Sequence, residues 1–437
     1  MDFSKKVLSI GSTVALTAML VGMGNVNAAS RQSASPVTVT IMTWETPATN
    51  ALIDKAMAAF MASHPAIKVV RLASPASNYG QKLSSMIVAH RLPDLFWAGN
   101  DTALQYGAQG ILYDWTTYAK TASSGYNINN FAPSAVANWT LNGHLYGLPS
   151  LMNTYGAWYN ESLLKAAGVA LPKPGWTFQE MLHDAQVLAA KETGSGPHYG
   201  LIAPPDGPFD MSEYSVSAGG APFVNSITNP TKVTVSPQFI QGTTLMAQAV
   251  QKGYVSPPSY DSSNSATDFA GGKIPMLFGG QWLAAGWLLS PPSFKFGFTP
   301  YPIVSKVSQP YDAVGIVSPK YIANPAAVWQ VLQYLDTTAW ETVLPASPVA
   351  PAAYTPASGP YFQKLKSAGL SSVAASVTYE MSSPVKGAIR FNPTWATQAN
   401  NVITAQWNDI LMGKTPVASG SQSMAAAINK VIASQMH

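Results

Sequence analysis

An alternation of short strand-like runs and longer helix-like runs, beginning at Val37, restricts the fold more than any other feature of the chain. Val37, Val39 and Ile41 alternate with threonines, the period-two pattern of a strand with one buried face, and the run ends at Met42-Thr43-Trp44-Glu45. Thr46 and Pro47 then supply an N-cap and a first-turn proline. Leu52, Ile53, Ala56, Met57, Phe60 and Met61 fall on one helical face, which Pro65 stops. Ile67 to Leu72 predicts a second strand, and Leu83, Met86 and Ile87 mark a second helix before Pro93. Asp94-Leu95-Phe96-Trp97 predicts a third strand, followed by a short helix around Leu104 that closes at Gly110. Repeated βα units of this length imply an α/β fold with a mainly parallel sheet flanked by helices. Ligands of such sheets sit beyond the carboxyl ends of the strands, where Trp44, Glu45, Trp97, Asn100 and Asp101 lie.

A second block follows Pro149. Pro174-Gly175-Trp176 is a turn, Thr177 and Glu180 have the spacing of a capping box, and Phe178, Met181, Leu182, Ala185, Leu188 and Ala189 form the buried face of a helix. Asn324-Pro325 starts another helix, with Val328, Val331, Leu332 and Leu335 as its stripe. The Ser/Pro/Ala-rich stretch from Pro345 to Pro360 reads as a long loop, and no repeat of solenoid type occurs.

At the amino terminus Lys5 and Lys6 precede a mostly apolar, uncharged stretch from Val7 to Gly24 and then Val26-Asn27-Ala28. This order predicts a signal peptide over residues 1–28, cleaved after Ala28, with a flexible tether over 29–36; an uncleaved membrane anchor is the alternative. The absence of cysteine excludes disulfides, a thiolate nucleophile, a Cys-based metal site and a lipid-modified cysteine. The expected location is therefore the periplasm or the outer face of the cell membrane, without lipid anchorage through cysteine. With 437 residues, 47% hydrophobic and 10% charged, the chain has ample material for large cores, and its length suits two or three domains or lobes. A net charge of +4 without a basic run leaves no electrostatic footprint for nucleic acid. The charged fraction is well below the roughly 25% usual in soluble domains. Few carboxylates means few groups whose protonation changes the net charge, which fits an acidic medium as well as plain compositional drift.

Six segments carry a family resemblance: Tyr79 to Met86 with Leu92-Pro93-Asp94, Gly143 to Asn160, Gly175 to Leu188, Gly272 to Trp282, Phe296 to Ile303, and Ile410-Leu411-Met412-Gly413-Lys414. In this order they resemble the extracellular solute-binding proteins of ABC transporters, specifically the class that includes maltose- and multiple-sugar-binding proteins. The resemblance implies two α/β lobes, joined by crossing strands, that close on a ligand in the cleft between them like a hinged clamp. The crossings would fall near Tyr146 to Ala157, Tyr311 to Ile316 and Val377 to Ser383. One lobe would then combine 37–150 with 313–376, and the other 151–312 with 377–437. It implies a monomer that hands its ligand to the transmembrane permease subunits of an ABC transporter and needs no cofactor.

Sugars present alternating apolar faces and hydroxyl edges, so their sites need aromatic platforms beside planar polar groups. The pairs that fit are Trp44 with Glu45, Trp97 with Asn100 and Asp101, Asn153 with Tyr155, and Gln281 with Trp282. By resemblance, Gly315 would add backbone contacts at the second crossing. Trp158 fits either the cleft or the core, and Trp176 either the cleft or a turn. Trp329, Trp340 and Trp407 read as packing residues, Asp94 as a group that tidies a strand entrance, and Arg390, near Phe391 and Trp395, as solvated. Clustered Arg or Lys, as a phosphate or sulfate site would need, are absent near these positions, so a neutral mono- or oligosaccharide is expected. A polyamine is the alternative ligand, since aromatics with carboxylates also suit a cation. A secreted glycoside hydrolase is a further alternative, for which Glu45, Asp94, Asp101, Asp210 and Glu213 could supply the carboxylate pair. No catalytic motif surrounds them, and the six histidines show no pair at metal-ligand spacing, so the chain is not expected to be an enzyme.

Overall fold

A computed structural model describes residues 35–74, 76–123, 125–191, 198–202, 208–226, 230–382, 386–387 and 395–435. The expected signal peptide and most of the tether, and Arg390 with Phe391, lie outside the described residues. Among the described residues ten strands run in chain order: β1 (Val37–Met42), β2 (Ile67–Arg71), β3 (Leu95–Gly99), β4 (Thr140–Leu141), β5 (His144–Leu145), β6 (Gly147–Asn160), β7 (Met276–Gly280), β8 (Phe296–Pro300), β9 (Gln309–Val317) and β10 (Lys386–Gly387). β4 and β5 pair with each other, and the other eight form one sheet.

The amino-terminal βα units follow the local code. Thr46 Oγ1 accepts from Thr49 N at 3.2 Å, and Pro47 opens the helix Pro47–Ser63. β1 buries Val39 and Ile41, pairs in parallel with β2 through Ile41↔Arg71, and pairs in parallel with β3 through Met42↔Phe96. Asp94 joins the strand entrances: its Oδ2 accepts from Thr40 N at 2.8 Å and from Thr40 Oγ1 at 2.7 Å. β3 is buried along its whole length, with β1 paired on one edge and β9 on the other and its side chains within one hydrophobic core. The Thr177–Glu180 box is closed in both directions, with Glu180 Oε2 accepting from Thr177 N at 2.6 Å and Thr177 Oγ1 accepting from Glu180 N at 3.1 Å.

Parallel pairing among the named strands is confined to β1 with β2 and β3, and β9 with β10. β9 returns antiparallel to β3, and β6 antiparallel to β9, so the sheet is mixed. β6 is the central member. Its first half pairs with β9 as far as Thr154↔Tyr311; from Tyr155 it pairs with β7 and from Gly156 with β8. Every residue of β6 is buried except Tyr155, which stands at this change of partner.

Two hydrophobic cores flank that long strand. One gathers Leu95, Phe96 and Trp97 with Val331, Leu332 and Trp340; the other gathers Phe178, Met181 and Phe239 with Trp407, Ile410 and Ile428. Where a third crossing strand is expected, Ser371–Ser382 is instead a helix whose Ser376 Oγ donates to Phe298 O at 2.7 Å. Among the described residues no helix is long and apolar enough to cross a membrane.

Candidate functional site

The loop after β1 is fixed by its own polar groups. Thr43 Oγ1 donates to Asn50 Oδ1 at 2.6 Å, and Asn50 Nδ2 donates to Glu45 O at 2.7 Å, so the helix that follows holds Trp44 and Glu45 in place. Trp97 Nε1 donates to Glu45 Oε1 at 3.0 Å. Burial raises the proton affinity of the Glu45 carboxyl above its ordinary value, and the Trp97 hydrogen bond works against that rise. Trp44 is half-buried, with its ring edge-on to Tyr79 at 5.3 Å and tilted against Trp97 at 6.2 Å.

Trp97 itself is 2% exposed and stacks on Trp340 at 5.9 Å and 8°. Its side chain is occupied by Trp340 and Glu45, so it supports Trp44 from behind rather than offering a face of its own. Asn100 and Asp101 open the helix Asn100–Ala108 directly beyond β3; Asn100 is buried and Asp101 half-exposed.

Strand register places the other candidates beyond the same end of β3. Gly99 lies opposite Val314, Leu151 opposite Val314, and Asn153 opposite Asp312, so the segment of β9 past β3 runs beside Met152 to Tyr155 of β6. Asn153 is buried. Tyr155 gathers groups from two further segments: its hydroxyl donates to Asp312 Oδ2 at 2.8 Å and its backbone N donates to Glu380 Oε2 at 2.9 Å. The Trp282 ring, half-buried, meets Tyr155 edge-on at 5.3 Å. That ring lies back over β7, and a Cβ on Gly280 would come within 1.8 Å of it. Glycine is required there by the close approach.

Three candidates serve the scaffold. Gln281 is wholly buried; its Oε1 accepts from Thr154 N at 2.8 Å and its Nε2 donates to Met152 O at 3.3 Å, which ties β7 to β6. Gly315 sits between Ala98 of β3 and Pro149 of β6, where a Cβ would fall 2.1 Å from Leu148 O, so its glycine is explained by strand contact. Trp158 is wholly buried against Trp287, Phe296 and Phe298, with Nε1 donating to Gly280 O at 3.1 Å. Trp176 is also a packing residue, its Nε1 donating to Pro300 O at 2.7 Å. Sequence reasoning missed Tyr79, Asp312 and Glu380. Glu380 carried a usable signal, since it continues the buried stripe of Val373, Ala374 and Val377 at helical spacing, where an acid needs a purpose.

The arrangement therefore has open aromatic surface at Trp44, Trp282 and Tyr155, carboxyl groups at Glu45, Asp101, Asp312 and Glu380, and an amide at Asn153. Aromatic faces beside hydrogen-bonding groups at strand ends define a small-solute receptor of the two-lobed, periplasmic-binding-protein-like α/β class. The profile of the family described as bacterial extracellular solute-binding protein matches residues 43–341, and the chain belongs to that family. The chain is 23% identical over 326 residues to a putative binding protein of Brucella abortus, spanning 74% of this chain and 77% of that one. It is 26% identical over 256 residues to the maltodextrin-binding protein MdxE of Bacillus subtilis, spanning 56% and 57%. Its fold is similar to that of the ABC substrate-binding protein Lmo0181 of Listeria monocytogenes in complex with cycloalternan, with a TM-score of 0.75 at 18% identity, over 91% of this chain and all of that one.

Proposed function

We propose that this protein captures a neutral mono- or oligosaccharide outside the cytoplasm and delivers it to the permease of an ABC transporter. The observation that carries this reading is the half-exposed rings beside carboxyl and amide groups: Trp44 beyond β1, next to Glu45, and Tyr155 with Trp282 where β6 changes partner, next to Asp312 and Asn153. A relative that binds maltodextrin and a structural neighbour that holds cycloalternan support a saccharide over a polyamine. Catalysis is no part of this reading, and relatives named as binding proteins support that.

The lobes of the clamp are 37–150 with 313–376 and 151–312 with 377–437; one hydrophobic core, made wholly of residues from the second set, supports this division, while the other draws on both sets. Ligand binds the open form and draws the second lobe over it, because contacts to both lobes favour the closed state. The protein acts as a monomer, is exported by a signal peptide over 1–28, and binds no nucleic acid. A thermal-shift screen of the chain from residue 29 against mono- and oligosaccharides, with polyamines as controls, tests the reading, since a ligand of the folded state raises the midpoint. A rise with one saccharide series is expected. A rise with spermidine alone would establish the polyamine reading, and loss of the added saccharide with time would establish the hydrolase.

A further inference from the structure

Among the described residues, the buried acids include Glu213 and Asp336, one on an element of each core. Glu213, in the helix Phe209–Ser217, accepts from Ser308 Oγ at 2.6 Å through Oε2, while its buried Oε1 meets no donor. Beside Ser308, Gln309 Nε2 donates to Tyr301 O at 3.0 Å, and the buried Gln309 Oε1 likewise meets no donor. Asp336, the last residue of the helix Pro325–Asp336, accepts from Ser150 Oγ through Oδ1, and its buried Oδ2 meets no donor. The charge pairs among the described residues, including Arg71 with Asp54 and Lys273 with Asp268, lie at the surface and reach neither acid.

A buried carboxylate needs a cation or several donors to offset its lost hydration, and one hydroxyl is not enough. A protonated carboxyl avoids most of that cost and becomes a donor. Among the described residues, the groups that face these acids add no positive charge. Tyr301, whose hydroxyl donates to Asp210 O at 2.7 Å, stands near Glu213, and Tyr126, whose hydroxyl donates to Ala119 O at 3.2 Å, stands near Asp336. We propose that Glu213 and Asp336 are held protonated in the native protein, so that the fold is built to work in an acidic medium and weakens as its surroundings approach neutrality.

Burial moves both groups in the required direction. It pushes the Glu213 carboxyl from 4.5 up to about 7 against the pull of the Ser308 hydrogen bond, and raises Asp336 well above the ordinary range against that of Ser150. The folded state then binds protons more tightly than the unfolded state. Stability from Glu213 is complete below its unfolded value of 4.5 and is lost as pH rises toward about 7. The composition agrees, because 20 Asp and Glu in 437 residues limit the charge that acidification can unmask.

The test is urea unfolding of the full chain between pH 4 and pH 8, for the natural sequence, Glu213→Gln and Asp336→Asn. For the natural sequence the folding equilibrium constant is expected to fall by about 200-fold across that range from Glu213 alone, and each amide variant should flatten the slope. Infrared spectra of the native chain at pH 6 provide a readout that needs no variant to fold. At that pH ordinary exposed carboxyls are ionised, and Glu213 and Asp336 should contribute an acid carbonyl band alongside any from Glu45, whose proton affinity burial also raises. Stability that is flat or rises from pH 4 to pH 8, or a native spectrum without that band at pH 6, would overturn the proposal.

Discussion

Trp97→Ala and Trp44→Ala should separate the support of the site from its surface, although both replace a tryptophan within one aromatic group. Trp97 is 2% exposed, stacks on Trp340 at 5.9 Å and donates to Glu45 at 3.0 Å. Truncating a buried aromatic costs about 3–5 kcal/mol, and a partly buried carboxyl that loses its donor costs about 1 kcal/mol or more. A loss of about 4 kcal/mol or more is a large share of a total that is typically about 5–15 kcal/mol. Trp44 is half-buried and touches Tyr79 and Trp97 by edge and tilt, so its removal should cost about 1 kcal/mol of stability. It removes an open ring, so saccharide affinity should fall by about tenfold or more. Urea midpoints and calorimetric titration with the saccharide found in the screen measure the two effects. Equal destabilisation by the two variants, or saccharide binding unaffected by Trp44→Ala, would refute the division of labour.

Gly280→Ala should force the Trp282 ring off β7, because the new Cβ would lie 1.8 Å from it; weaker saccharide binding with a stability loss of about 1–3 kcal/mol is expected, by the same titration and unfolding measurements. Tyr155→Phe removes the donor to Asp312 Oδ2 and should cost about 1–3 kcal/mol in urea unfolding. Gln281→Ala leaves Thr154 N without its acceptor inside the protein and should cost at least about 2 kcal/mol, with faster hydrogen exchange at Thr154 as its local signature. Trp97→Phe keeps an aromatic ring but deletes the hydrogen bond that favours ionised Glu45. Glu45 should therefore protonate at higher pH, and any pH dependence of saccharide affinity that it governs should move upward, as read from titrations at several pH values.

Contacts between near neighbours in the chain were legible in the sequence. The Thr46 cap, the Thr177–Glu180 box and the helix begun by Pro325 each depend on residues within a turn of one another. Asp94 was readable as a strand-entrance residue because the strand it serves was itself clear. The roles of the tryptophans were harder to read, because they depend on what lies across the sheet. Trp44 and Trp97 both read as ends of strands in the sequence, yet β3 runs on to Gly99, so Trp97 is its middle residue and meets Trp340 from a helix far along the chain. Gln281 was read as a polar partner of Trp282 and Gly315 as a backbone contact at a crossing, and the geometry uses both to join strands. Asp312 and Glu380 both bond to Tyr155, each from a segment more than a hundred residues away from it in sequence.

The continuity of β6 also governs how the protein comes apart. Its first half is laddered to β9 and its second half to β7 and β8 without a break, and one core draws on both halves, through Leu148, Leu151 and Met152 before the change of partner and Trp158 after it. Melting either half of this fourteen-residue strand strips residues from a core that the other half still holds. The two cores should therefore unfold in a single calorimetric transition, and the amides around Tyr155 should be among the last to exchange with solvent.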